Sequence, residues 1–194
     1  MAKLQKNNTE KYLRHFAESV IKRGRQILKA KKKNVTGKLL DSLKYRLEAT
    51  SKGYNLVFKG ADYAAFIDKG VRGIGGTFKS GKNKGKSFSG MHTYQNIFGK
   101  RERSPFKYTN KQPPASAFDK WAVRKGLAPR KKGGQFMSGK SLQFALAYSI
   151  YVKGIASTSF FSKPMSIELA NFDTGILKAF KTDIITHFET LELK

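Results

Sequence analysis

Thirty-nine lysines and arginines stand against 13 aspartates and glutamates in this chain, a formal charge of +26, and the excess is unevenly placed. Residues 1–35 carry a net +9, residues 36–69 +2, residues 70–140 +15, and residues 141–194 none. A chain so charged repels itself, and a polyanion nearby relieves the repulsion. The neutral last block therefore reads as packing or assembly surface, and the third block as polyanion-facing. Nucleic acid is the first candidate partner, an anionic membrane the second and an acidic protein the third. The 194 residues include 15 Phe and 8 Tyr. That is enough apolar material for one domain to bury a core, and it excludes a wholly disordered chain. No stretch approaches the roughly 20 apolar residues that span a bilayer. The opening MAKLQKNNTEKY has no apolar run after its charges, so no secretory signal is expected. Without cysteine there are no disulfides or thiolate sites, which fits a cytosolic or compartment-neutral setting.

Periodicity divides the chain into elements. From Thr9 to about Lys32, apolar residues recur at Leu13, Phe16, Ala17, Val20, Ile27 and Leu28, which predicts a helix with Thr9 as its N-cap. A short helix at Thr36 gathers Leu39, Leu40 and Leu43. Alternation over 45–49 and 55–58 around Ser51-Lys52-Gly53 predicts an antiparallel hairpin. Residues 61–67 form a helical segment that Gly70 stops. Residues 70–112 are rich in Gly, Lys and Ser, and are expected to form an extended, mobile basic insertion or a hairpin arm. A helix from Pro113 to about Lys125 follows. The next, from Ser141, is apolar nearly all round, which argues for burial between neighbouring elements or between subunits, and Gly154 closes it. A long helix is expected from Pro164 to about Leu191, its stripe formed by Leu177, Phe180, Ile184, Phe188 and Leu191, with Asn171, Asp173 and Gly175 as possible breaks. The expected fold class is α+β, helix-rich, with a small antiparallel sheet and a long basic loop or hairpin insertion at about 70–112, all in a single domain over 1–194. Residues 75–82 and 133–140 agree at six of eight places, too few copies for a solenoid.

Catalytic signatures are weak. His15, His92 and His187 are scattered, with no HExxH and no cysteine partner, so no metal or cofactor is expected. The segment from Gly81 to Ser87 resembles a P-loop but has three residues between its glycines where four are needed. The glycines at 70, 73, 75 and 76 miss the GxGxxG spacing. A nuclease site could be assembled only from Asp62, Asp68 and a lysine, and each acid is as well placed to pair with one of the many cations. The chain is not read as an enzyme. Aromatics interleave with cations instead: Phe78, Phe88, Tyr94, Phe98, Phe106 and Tyr108 lie among basic residues from Lys79 to Lys111. That mixture holds phosphates while rings stack, or else packs on a neighbouring subunit with its lysines solvated. No helix-turn-helix, RRM or KH signature accompanies it.

At Thr36-Gly-Lys-Leu-Leu-Asp-Ser-Leu43 the sequence resembles the small neck and tail-component proteins of tailed double-stranded DNA bacteriophages. These carry a T-G-x-L-x-x-S segment, a β-hairpin, and an element like Tyr63-Ala-Ala-Phe-Ile-Asp-Lys-Gly70. Larger members add an insertion, a segment like Phe144–Ile150 leading into Gly154-Ile155, and an aromatic stretch like Phe160-Phe-Ser-Lys-Pro164 before a C-terminal helix. The order matches over about 36–70 and 141–170. Asp68 stands where Glu is commoner, and the long basic arm is a departure.

The resemblance implies a non-enzymatic virion protein, made in the host cytoplasm. It would form a six- or twelvefold homo-oligomeric ring at the head–tail junction or upper tail, bound to other neck, connector or tail proteins. Double-stranded DNA would pass through its lumen by nonspecific electrostatics, with no membrane involved. Assembly contacts are then expected at Tyr63, Phe66, Asp68, Phe160 and Phe161. DNA or lumen contacts are expected at Lys79, Lys82, Lys84, Lys86, Lys100, Arg101 and Arg103. The alternative is a sequence-nonspecific DNA-binding or packaging protein that works outside any ring.

Overall fold

The computed structural model describes residues 7–31, 37–51, 53–77, 82–118 and 138–192, with side chains to 187 in the last helix. The fold is α+β, and the chain divides into two compact units. The first unit comprises residues 1–64, 95–100 and 159–194, and the second residues 65–94 and 101–158.

The first unit is built on α1 (Asn7–Ala30), whose buried stripe Thr9, Leu13, Phe16, Ala17, Val20, Gly24 and Leu28 repeats at helical spacing. Around it lie α2 (Lys38–Ser42), the hairpin β1 (Lys44–Thr50) and β2 (Gly53–Lys59), α5 (Ser162–Leu169) and α6 (Phe172–Glu192). Phe16, Val20 and Met165 form the core, with Leu56, Phe58, Phe161, Leu169 and Phe172 packed against it. Phe172 meets Phe16 edge-on at 4.9 Å, and Phe161 meets Phe58 at 5.3 Å. The hairpin pairs Lys44 with Lys59 through Thr50 with Gly53, the expected turn. Leu39, Leu40 and Leu43 are buried together. The α2 motif is pinned by Ser42, whose hydroxyl accepts the Ala61 N–H at 3.0 Å and donates to the Leu39 carbonyl at 2.8 Å.

One expectation changes in this unit. Thr9 is not the N-cap: the Thr9 hydroxyl donates to Asp183 of α6 rather than accepting from the helix. The long C-terminal helix is broken at Ala170–Asn171, the first of the three expected breaks, while Asp173 and Gly175 lie inside α6, Gly175 against the Tyr12 ring.

The second unit holds most of α3 (Ala64–Lys69), then β3 (Val71–Arg72), β4 (Gly76–Thr77), β5 (Ser87–Phe88), β6 (Thr93–Gln95), β7 (Arg101–Arg103), a 3-10 turn at Ala115–Phe118, α4 (Gly139–Lys153) and β8 (Gly154–Ile155). Residues 70–112 are thus more than an extended arm: β3 pairs antiparallel with β8, β4 with β5, and β6 is paired with β7. A parallel bridge adds Lys107 beside Arg72. Of the helix expected over 113–125, residues 113–118 lie among the described residues and form a 3-10 turn at Ala115–Phe118, and residues 133–137 of the repeat copy at 133–140 lie outside them. Ser138 caps α4 by accepting the Ser141 N–H, and Gly154 closes it at φ 81°.

The C-terminus of α3 is held by side chains. The Ile67 carbonyl accepts from the Thr158 N–H at 3.0 Å and its hydroxyl at 2.7 Å, and the Gly70 carbonyl accepts from the buried Ser104 hydroxyl at 2.7 Å. Gly73 is required by close approach, because a Cβ there would collide with the Val152 carbonyl oxygen. Gly73→Ala is expected to destabilise this unit by roughly 2–3 kcal/mol, read as faster hydrogen exchange at Arg72 and Ile74.

Candidate nucleic-acid interface

Lys82, Lys84 and Lys86 are all exposed on the connection between β4 and β5. Its turn is set by Lys86 N–H donating to the Asn83 carbonyl at 3.0 Å, with Gly85 at φ 81° in the third position, where a side chain would be strained. The segment that resembled a P-loop is therefore an open lysine turn. None of these three lysines takes part in an ion pair among the described residues. Lys79 lies outside the described residues.

The turn between β6 and β7 presents the next cations. Asn96 organises it: its side-chain oxygen accepts the Phe98 and Lys100 N–H groups, both at 2.9 Å, and its own N–H donates to the Lys100 carbonyl. This leaves Phe98 77% exposed at the tip beside exposed Lys100. Strand alternation then places Arg101 and Arg103 on one face of β7 and Glu102 on the other, where its carboxylate accepts the Tyr94 hydroxyl at 2.9 Å. Burial, that hydrogen bond and the charges of Glu102 and Asp68 all push the Tyr94 phenol up. The structure thus gathers Lys82, Lys84 and Lys86 on one turn, and Arg101 and Arg103 on one strand face.

A second basic surface was not singled out from the sequence. In the first unit an open groove of about 790 Å³ runs along α1 and the start of β1. Lys22, Arg25, Lys29 and Lys44 line it against one carboxylate, Glu18, which accepts the Tyr45 hydroxyl at 3.0 Å. The guanidinium of Arg25 donates to the Leu40 and Leu43 carbonyls at 3.1 and 3.0 Å, so it fixes α2 against α1 and shapes the groove. The signal for this surface was the spacing of Lys22, Arg25 and Lys29, one basic face over two turns.

The residues expected in assembly fall into different environments. Tyr63 and Phe66 are exposed, Phe66 resting 4.4 Å from Phe106. Asp68 is buried within the second unit and Phe160, at 1% exposure, within the first. Phe160 lies in the tight approach of its backbone to Gly24 of α1 and has no surface to offer another chain. Phe161 is half-buried on Phe58.

Apolar surface appears elsewhere. Helix α4, expected to be buried between neighbouring elements or between subunits, exposes Phe144 (59%) and Tyr148 (53%) one turn apart in the single chain, while Ala147 and Val152 face inward. On α6, Leu177 (65%), Phe180 and Ile185 are exposed, and the packed face runs through Phe172, Ile176, Ala179 and Asp183. The expected stripe therefore faces outward at Leu177 and Phe180; the side chains of Phe188 and Leu191 lie outside the described part.

The histidine nearest the basic segment is structural: His92 Nε2 donates to the Lys153 carbonyl at 2.7 Å. Among the described residues no group of three or more potential metal ligands converges, and no helix is long and apolar enough to cross a membrane. No protein-family model, curated protein or solved structure matches the chain.

Proposed function

We propose that the chain is a non-catalytic structural subunit of a tailed bacteriophage particle, forming a ring at the head–tail junction or upper tail around the DNA channel. The observation that carries this reading is the presence of two kinds of surface on different blocks of the chain. Exposed cations sit on the basic block, at Lys82, Lys84, Lys86 and Lys100 on turns and at Arg101 and Arg103 on strand β7, and none is ion-paired among the described residues. Large exposed apolar side chains sit on helices of the neutral block, at Phe144, Tyr148, Leu177 and Ile185.

Contiguous apolar helix faces are what a subunit buries against its neighbours. Lysine turns with an exposed ring neutralise a phosphate backbone without reading bases. A closed ring multiplies +26 per chain into a strong field around its lumen. The basic groove on α1 favours the second reading, a nonspecific DNA-binding or packaging protein, because it gives the first unit a cationic surface of its own.

Quantitative mass spectrometry of purified virions decides between them. A fixed ratio of about one-half or one to a twelvefold portal protein is expected for a ring. Absence from the particle, or a large and variable count, overturns the ring; the variable count supports packaging.

A further inference from the structure

In the second unit, β3, β4, β5 and the segment around Gly90 line an open cleft of about 420 Å³. Its lining is rich in glycine, Gly73, Gly75, Gly76 and Gly90, holds no carboxylate among the described residues, and carries two cations, Arg72 and Lys107. Their chain positions are fixed. Arg72 N–H donates to the Phe106 carbonyl at 2.8 Å, and the Arg72 carbonyl accepts from Tyr108 N–H at 2.9 Å, so the two residues are bridged side by side. The glycines let the backbones close in: a Cβ on Gly90 would lie 2.5 Å from the Gly73 carbonyl oxygen.

The Nε of Arg72 is buried and has no acceptor among the described residues. A buried guanidinium N–H without an acceptor costs free energy and calls for a partner with oxygen lone pairs. Three successive backbone amides of the glycine segment are already taken by carbonyls. Gly73 N–H donates to the Gly90 carbonyl, Ile74 N–H to Tyr151 and Gly75 N–H to Val152. This is the opposite of a glycine loop that cradles phosphate with free amides. Recognition here falls to the two side chains, a planar guanidinium and an ammonium, the pair best suited to tetrahedral oxyanions.

We propose that this cleft is a phosphate site, in which Arg72 and Lys107 hold one phosphate group, either free or part of a nucleic-acid backbone. The turn bearing Lys82, Lys84 and Lys86 closes the β4–β5 hairpin whose base lines the cleft, so a bound phosphodiester continues onto those lysines. Only that second source rests on the polyanion-facing reading of the basic block; the phosphate site itself does not.

The test is calorimetric titration of the full chain with pyrophosphate, at an ionic strength held constant with chloride. Arg72→Gln and Lys107→Gln are each compared with a control, Lys178→Gln with Lys181→Gln, which removes charge from the exposed face of α6. The wild type and the control are expected to bind alike, and each cleft variant to bind about 10-fold or more weakly. Should Arg72→Gln fail to fold, Lys107→Gln carries the test. Equal weakening in the control and in the cleft variants overturns the site, as does pyrophosphate binding no tighter than chloride. A second arm uses a short DNA duplex. Loss of duplex affinity in the cleft variants beyond that in the control assigns the phosphate to a nucleic-acid backbone. Unchanged duplex affinity with lost pyrophosphate binding keeps the site and assigns it to a free phosphate. Failure of the wild type to bind duplex at all counts against the polyanion-facing reading alone.

Discussion

Asp183→Ala is expected to lower the folding free energy of the first unit by about 4 kcal/mol, the sum of several charge-assisted hydrogen bonds lost at one buried position. The carboxylate is 2% exposed on α6 and sits at the N-terminus of α1. One oxygen accepts the Asn8 N–H at 2.8 Å and the Asn8 side-chain amide at 2.9 Å. The other accepts the Thr9 N–H at 2.9 Å and the Thr9 hydroxyl at 2.7 Å. The two backbone donors belong to the first turn of α1 (Asn7–Ala30), where a negative charge meets the positive end of the helix dipole. Alanine removes the acceptor that Asp183 gives to the Thr9 hydroxyl and to two backbone amides. The Asp183→Asn variant keeps one acceptor oxygen, so it is expected to cost about half as much.

Burial alone would push this carboxyl up, but the hydrogen bonds from Thr9 and Asn8 overcome it and hold it below the usual carboxylate range. A carboxyl depressed in the folded state stabilises above its unfolded value, about 3.9. That stabilisation is complete at neutral pH and is lost as pH falls below about 4 and through the depressed folded value. Urea unfolding at neutral pH checks the magnitude, and an acid-unfolding limb that is shallower in Asp183→Asn than in the wild type checks the sign. A wild-type midpoint in Asp183→Ala would mean that the α1 terminus has other partners.

That contact also marks where the sequence stops being legible. The stripe of α1, the β1–β2 hairpin and the stop at Gly70 were readable because each is a local pattern: a period of 3.6, a period of 2, a glycine at positive φ. Thr9 read locally is an N-cap, an acceptor. In the fold it is a donor, because an acid far along the chain arrives at the same helix end and accepts more strongly. Residues 70–112 are legible only in part, as a hairpin insertion, for a related reason. Strands of two residues have no periodicity, and Val71 finds its partner at Ile155, beyond the reach of any window. Of the glycines that looked like a failed nucleotide loop, Gly70 and Gly73 are there for close backbone packing, Gly70 against Ile155 and Ser157 and Gly73 against Val152 and Gly154.

Apolar content said that α4 and α6 were helices, but not which face is inward. On α6 the buried face is marked by Asp183, a residue that hydropathy assigns outside. The candidate site divides in the same way. Lys82, Lys84 and Lys86 are exposed as expected, since a lysine run stays solvated wherever the chain goes. Arg72 and Lys107 become neighbours only through a bridge between distant segments.

Phe160→Ala is expected to destabilise the first unit by about 3–5 kcal/mol, the range for deleting a fully buried phenyl ring whose site does not collapse. Collapse is resisted on one side by α1. A Cβ on Gly24 would lie 2.8 Å from the Phe160 carbonyl oxygen and 3.7 Å from its ring, so the helix already touches this residue at backbone distance and has little room to follow. Phe161→Ala removes a half-buried ring that meets Phe58 edge-on at 5.3 Å and is expected to cost about 1–2 kcal/mol. The pair separates packing from assembly within one aromatic stretch. In sedimentation of natively folded protein, Phe160→Ala is expected to reduce association only in proportion to the fraction unfolded. Phe144→Ser with Tyr148→Ser, on the exposed face of α4, is expected to weaken association without moving the urea midpoint by more than about 0.5 kcal/mol. An unchanged midpoint in Phe160→Ala, with association lost, would reverse that assignment and return Phe160 to the contacts between chains.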